Sequence, residues 1–148
     1  MSLSQKCQYA VRAVFELAKR YGEEPVAISS IAPAQAIPAK FLEAIFAQLR
    51  QGGYVDSRRG PQGGYVLSRS PSELTVGEII QFVDGPIDPV KCMTALEKDR
   101  CSLMGQCVFL SLWQRARDAL AAVYETTFAD LVRQGQEAAE ALAPNYCI

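Results

Sequence analysis

The stretch PAKFLEAIFAQLRQGGYVDSRRGPQGGYVL, residues 38–67, decides the fold. Its first half carries apolar residues at helical spacing. Phe41, Leu42, Ile45, Phe46 and Leu49 form one stripe, which predicts a buried face. Lys40, Glu43, Ala44 and Ala47 form the opposite stripe. Pro38 suits a helix start and Gly52-Gly53 a stop, so the predicted helix spans about 39–51. Small residues on its outer face permit close approach to a duplex groove, while Lys40 and Glu43 can reach base edges or phosphates. The second half reads as a hairpin. Tyr54–Arg59 leads up, Gly64–Leu67 returns, and Gly60-Pro61-Gln62-Gly63 connects them. Arg58 and Arg59 stand at its tip beside glycines that let the backbone come close to a partner. Alone, such a hairpin is often only a surface hairpin with solvated arginines. Directly after a recognition helix it reads as a wing, able to place an arginine in a minor groove.

The sequence upstream supplies the rest of a helix-turn-helix. Residues 4–21 predict a helix with Ser4 as its cap and Ala10, Val11, Val14, Phe15, Leu17 and Ala18 on its apolar face. Residues 29–36 predict a short helix, capped by Ser29 or Ser30, with Pro33 at the end of its first turn. Two short helices separated by a few residues, followed by a β-ribbon, define a mainly α winged helix-turn-helix domain over residues 1–84. Its last element is a helix over about 75–83. The helix is announced by the capping box Thr75-x-x-Glu78 and stopped by Asp84-Gly85-Pro86.

Residues 85–107 form an irregular stretch that holds Cys92, Cys101 and Cys107. A long C-terminal helix is predicted over 108–140, followed by a flexible tail, 141–148. Phe109, Trp113, Ala116, Leu120, Val123 and Thr127 recur as a coiled-coil-like seam, widened by Val108, Leu112, Ala119 and Phe128. That face is broader than a small winged domain can cover, which predicts a homodimer helix; packing within its own chain is the alternative.

Composition limits the functional classes. The 148 residues carry a net charge of −1, but the charge is uneven. Residues 1–69 have nine Lys/Arg against five Asp/Glu, and residues 70–148 have six against eleven. A basic first half fits a nucleic-acid surface confined to one part of the chain, although chance clustering gives the same pattern. With 49% hydrophobic and 21% charged residues the chain can build a core. It has no apolar run of membrane length and no secretory leader at Met1, so a cytoplasmic protein is expected. There is no histidine, which removes Ser-His-Asp and Cys-His catalysis and every zinc site that needs imidazole. No Gly-rich phosphate loop or catalytic carboxylate pair is present, so an enzyme is not expected. Five cysteines, an odd number, do not suggest a disulfide framework. The spacing Cys92-x8-Cys101-x5-Cys107 is compatible with thiolates converging on iron, with a thiol redox or persulfide switch, or with zinc or structural use.

The order of these elements, with four stretches of sequence, resembles a known family, the Rrf-type winged helix-turn-helix regulators, including the IscR-like and NsrR-like iron–sulfur repressors. The stretches are Lys6-Cys7-Gln8-Tyr9-Ala10-Val11-Arg12, Phe41-Leu42-Glu43, Arg59-Gly60-Pro61-Gln62-Gly63-Gly64-Tyr65, and the three loop cysteines. The resemblance implies a homodimeric transcription regulator, acting as a repressor, on a palindromic operator in double-stranded DNA. It also implies a [2Fe-2S] or [4Fe-4S] iron–sulfur cluster on Cys92, Cys101 and Cys107. The expected DNA-contacting set is Ser29, Ser30, Ala39, Lys40, Glu43, Arg58, Arg59, Gly60, Gln62 and Gly63. The chain departs from the pattern at the fourth cluster ligand. IscR-like proteins have a histidine three residues after the third cysteine, where this chain has Leu110; NsrR-like proteins use a carboxylate where it has Gln8. Cys7 or Gln8 of a partner chain, Asp88, Glu97, Asp99 or an external thiol are the candidates. An early helical position would lower the Cys7 thiol pKa; a small packed residue is the other reading of Cys7. Some relatives act by binding metabolic enzymes, and the acidic second half would suit such a partner.

Overall fold

The computed structural model describes residues 2–94, 101–103 and 105–142. Helix α1 spans Gln5–Lys19 and is capped by the Ser4 hydroxyl, which accepts from the Cys7 N–H at 3.0 Å. Its face of Ala10, Ala13, Val14, Leu17 and Ala18 lies at the centre of the core, packed by the helices that follow. Helix α2 spans Ile28–Ala34 and starts at Ala27, which makes no side-chain cap bond. Ser29 and Ser30 therefore lie in its first turn and cap nothing. Pro33 sits inside α2, where its missing N–H forfeits one bond in a helix too short to lose more.

The turn after α2 is closed by its backbone. The Ala36 N–H donates to Pro33 O at 3.3 Å and the Ile37 N–H to Ala32 O at 2.9 Å, the paired bonds of a Schellman ending. Ala36 occupies the left-handed position at φ 50°, where glycine is usual. Helix α3, Ala39–Gln51, then buries Leu42, Ile45, Phe46 and Leu49. Phe41, on the same stripe by spacing, is 43% exposed; its ring lies at the surface with Tyr9 of α1, 5.9 Å away between ring centroids.

Strands β1 (Val55–Arg58) and β2 (Gly64–Leu67) pair antiparallel from Val55↔Leu67 to Arg58↔Gly64. The hairpin is pinned from both sides. Tyr65 of β2 exchanges two backbone bonds with Val26, at 2.9 and 3.0 Å, and stacks on Phe46 of α3 at 4.2 Å. Gly64 is required here, since a Cβ would stand 2.4 Å from the Val26 carbonyl oxygen. Helix α4, Val76–Asp84, begins at the capping box anticipated at Thr75 and Glu78.

The C-terminal region departs from expectation. The single helix predicted over 108–140 is two helices, α5 (Leu110–Tyr124) and α6 (Phe128–Leu142). Thr127, assigned to the dimer seam, instead caps α6, its hydroxyl accepting from the Asp130 N–H at 3.1 Å. Backbone bonds of 3.0 Å from Val76 N to Thr126 O and from Phe128 N to Leu74 O fasten this junction to the start of α4. Phe128 is fully buried in the chain's own core, not on a dimer face. Ala141 and Leu142, placed in the tail, belong to α6; the remaining tail, 143–148, lies outside the described residues.

Candidate nucleic-acid interface

Helix α3 presents Ala39, Lys40, Glu43, Ala44 and Ala47 to solvent, the outer stripe read from the sequence. The Lys40 ammonium lies 5.1 Å from the Phe41 ring centre, which steadies a long cation at the edge of that face. Ser29 and Ser30 are exposed at the start of α2. On the hairpin, Arg58, Arg59, Gly60 and Gln62 are exposed and Gly63 is half-buried. Gly60 adopts φ 114°, a conformation that favours glycine, and the tip closes by a 2.9 Å bond from the Gly63 N–H to Gly60 O. Arg50 Nη1 donates to Ser57 Oγ at 3.2 Å and ties α3 to the hairpin. Among the described residues no carboxylate pairs with Lys40, Arg58 or Arg59. Lys40 stands on a helix face of small residues and the two arginines on the hairpin tied to that helix, an arrangement suited to a polyanion with grooves.

Two residues with no site assignment from the sequence support this surface from behind. Arg12 Nη2 donates to the Gln35 carbonyl oxygen, and Gln35 Nε2 donates to Glu16 at 2.9 Å. Glu16 is completely buried on the apolar face of α1. Burial alone would raise its carboxyl pKa. Hydrogen bonds from Gln35 and Lys19, with the charges of Lys19 and Arg20, outweigh it and hold the carboxyl below its ordinary 4.5. A signal existed in the sequence: a carboxylate at position 16 among Ala13, Val14, Leu17 and Ala18 breaks the apolar pattern, four residues after Arg12.

The cysteines are less organised. Cys92 is exposed in a 3₁₀ turn at Lys91–Met93, and Cys101 and Cys107 are half-buried. None of the three is joined in a disulfide. Among the described residues no three Cys, Asp or Glu side chains are gathered into a group that could hold a metal. Cys7 does not behave as proposed from its helical position. It is completely buried against Ile80 and Ile87, and burial, with the Asp84 carboxylate beside it, pushes its thiol up to about 12. Desolvation prevails over the helix dipole. Gln8 is exposed and donates to the Leu3 carbonyl at 3.0 Å. Asp88 is half-buried. Glu97 and Asp99 lie outside the described residues.

Of the residues expected in the seam, Phe109 caps α5 and Trp113, Ala116, Leu120 and Val123 lie on it. Phe109 and Val123 are 56% and 65% exposed, Trp113 and Ala116 are half-buried, and Leu120 packs beside the Cys7–Ile80–Ile87 cluster. No side chain of α5 is fully buried.

The model of the Rrf2 family, described as an iron-dependent transcriptional regulator, matches residues 3–134. The chain belongs to the Rrf2 family. It is 37% identical over 127 residues to the HTH-type transcriptional regulator CymR of Bacillus subtilis, covering 86% of each chain. It is 35% identical over 133 residues to IscR of Serratia proteamaculans, covering 89% of this chain and 79% of that protein. The structure of B. subtilis CymR, described as the global cysteine regulator of that organism, superposes with a TM-score of 0.74 at 36% identity. It covers 90% of this chain and 98% of CymR. T. potens IscR gives the same TM-score at 34% identity, covering 99% of this chain and 95% of its own. The winged helix-turn-helix architecture expected from the sequence is therefore that of its relatives, and the chain is an Rrf2-type transcriptional regulator. No described helix is long and apolar enough to cross a membrane.

Proposed function

We propose that this Rrf2 protein is a homodimeric repressor that binds a palindromic operator and is controlled by an iron–sulfur cluster on Cys92, Cys101 and Cys107. The observation that carries the DNA reading is the small, polar outer face of α3, joined to a hairpin whose arginines pair with no carboxylate among the described residues. Lys40 and Glu43 read base edges in the major groove, Ser29, Ser30 and Ala39 fit the adjoining backbone, and Arg58 and Arg59 hold phosphates or a narrow minor groove. Gly60, Gln62 and Gly63 let the wing tip approach. Dimerisation places two recognition helices about 34–36 Å apart, one turn of the duplex. The apolar surface of α5 and the two residues before it, with Val108, Phe109, Leu110, Leu112 and Val123 exposed, favours a second copy as its cover.

The chemistry of the donor set fits a cluster: three thiols on one chain segment, in a protein without histidine. Bound there, the group would supply a cross-link that oxidation or iron loss removes. This chain's own residues carry the consequence. Ile87, at the start of the cysteine segment, packs with Cys7 of α1 and Ile80 of α4, beside Leu120 and Tyr124 of α5. A change in the segment thus reaches α1 and α4 of the winged domain and the α5 helix together. The fourth ligand is Gln8, a loop carboxylate or an external thiol, since a buried Cys7 with a raised pKa is a poor donor.

The test is anaerobic purification with iron and acid-labile sulfide assays, followed by selection of binding sites from a randomised duplex pool. Brown protein that loses colour but not its fold on Cys92→Ala, Cys101→Ala or Cys107→Ala supports the cluster. Colourless protein with stoichiometric zinc rejects it. One observation favours a second reading, a thiol switch: no ligand group is preassembled among the described residues, while Cys92 is exposed. Colourless, metal-free protein whose DNA affinity falls reversibly with peroxide would select that reading.

A further inference from the structure

The short helix α2 has little to hold it. It has seven residues, contains Pro33, lacks a side-chain cap, and buries only Ile31 completely. Isolated helices of that length do not persist in water, so its position is set by what it touches. The residue that caps its C-terminal end, Gln35, is gripped twice from α1. The Arg12 guanidinium donates to Gln35 O, and Gln35 Nε2 donates to Glu16 Oε2 at 2.9 Å. Glu16 is in turn held by Lys19 and Arg20, each at 3.0 Å, whose side chains are 45% and 40% exposed. The grip falls one residue before Ala36, whose left-handed φ of 50° sets the direction in which α3 leaves.

A completely buried carboxylate is costly unless it is paired and hydrogen-bonded, and Glu16 meets that need partly through Gln35, outside its own helix. We propose that Arg12 and Glu16 are positioning residues for DNA recognition: their latch on Gln35 fixes α2 and the turn so that α3 meets the duplex at a reading angle. They need not touch DNA. A displacement of about 1 Å at a recognition surface is enough to spoil directional hydrogen bonds to bases, whereas phosphate contacts tolerate it. The latch therefore acts on specificity more than on general affinity. This inference rests on the DNA-binding reading above.

The test uses the full-length chain, as wild type and as Glu16→Gln. The probes are the duplex that the wild type selects from a randomised pool and a scrambled duplex of equal length and composition. The variant keeps the side-chain shape but removes the charge that holds Gln35, Lys19 and Arg20. Expected is a fall of about tenfold in affinity for the selected duplex, the order of one lost hydrogen bond to a charged group, with little change on the scrambled duplex. Amide hydrogen exchange should quicken in residues 28–37 and stay unchanged in α4. The double variant Glu16→Gln/Gln35→Glu, which transposes the bonded pair, should recover most of the ratio. An unchanged affinity ratio, or exchange that quickens evenly through the core, overturns the latch while leaving the DNA-binding reading intact. A wild type that selects no duplex overturns that reading instead. Exchange over 28–37 then still decides whether the latch fixes α2.

Discussion

Replacing Gly64 by alanine probes the hairpin where it is most tightly held. The added Cβ would lie 2.4 Å from Val26 O, 2.5 Å from Val26 C and 2.8 Å from Ala27 N, against 3.4 Å or more in ordinary contact. All three are backbone atoms, so no side chain can swing aside. Relief requires β2 to move away by about 1 Å, by the difference from ordinary van der Waals separation. That motion breaks the two Val26–Tyr65 backbone bonds, now 2.9 and 3.0 Å, and loosens the Phe46–Tyr65 stack. Two hydrogen bonds at about 1 kcal/mol each, with part of an aromatic pair, sum to about 2–3 kcal/mol. At about 2–4 °C per kcal/mol for a chain of this size, Tm should fall by roughly 4–12 °C. Thermal unfolding followed by far-ultraviolet circular dichroism measures this directly. A variant that melts within about 1 °C of wild type would refute the argument from close packing.

Gly135→Ala, in α6, should have the opposite sign. Its Cβ would meet only Phe15 Cζ, at an ordinary 3.8 Å, and helix propensity should raise Tm by about 2–4 °C in the same melt. Thr75→Ala removes the hydroxyl that accepts from the Glu78 N–H at 3.2 Å, and should cost about 1 kcal/mol in a urea titration with m unchanged. In acid, the depressed Glu16 pKa has a definite sign. Its stabilisation is complete above the ordinary 4.5 and is lost as pH falls through the lower folded value, so Tm should drop more steeply below about pH 4.5 in wild type than in Glu16→Gln.

How much the sequence discloses depends on how local the deciding physics is. Helix α3 and the hairpin are legible because their signals, an apolar stripe ended by Gly52-Gly53 and a Gly60–Gly63 turn, act within a few residues. The break between α5 and α6 is not visible to periodicity, since the apolar spacing runs through Thr127 without interruption. The overlooked signal is Thr127-x-x-Asp130, a capping pair that outcompetes helix continuation when Phe128 has a core to enter. Phe41 falls on the apolar stripe by spacing, yet the neighbouring helix covers only one of its sides. Cys7 shows the limit most plainly. A helix N-terminus argues for a lowered thiol pKa, but the burial that reverses it comes from Ile80, Ile87 and Asp84, about eighty positions away along the chain.

If α3 and the hairpin form a duplex-binding surface, binding must depend on salt through the phosphates that their cations neutralise. Fluorescence anisotropy with the selected duplex, repeated over a range of salt concentrations, gives the slope of log K against log salt. Expected is a steep negative slope for wild type that loses about 1 in Arg59→Ala, with affinity falling on all sequences alike. In Glu43→Ala the slope should hold while the preference among bases relaxes. A salt-independent affinity, or an Arg59→Ala protein with wild-type slope and strength, would contradict the claim.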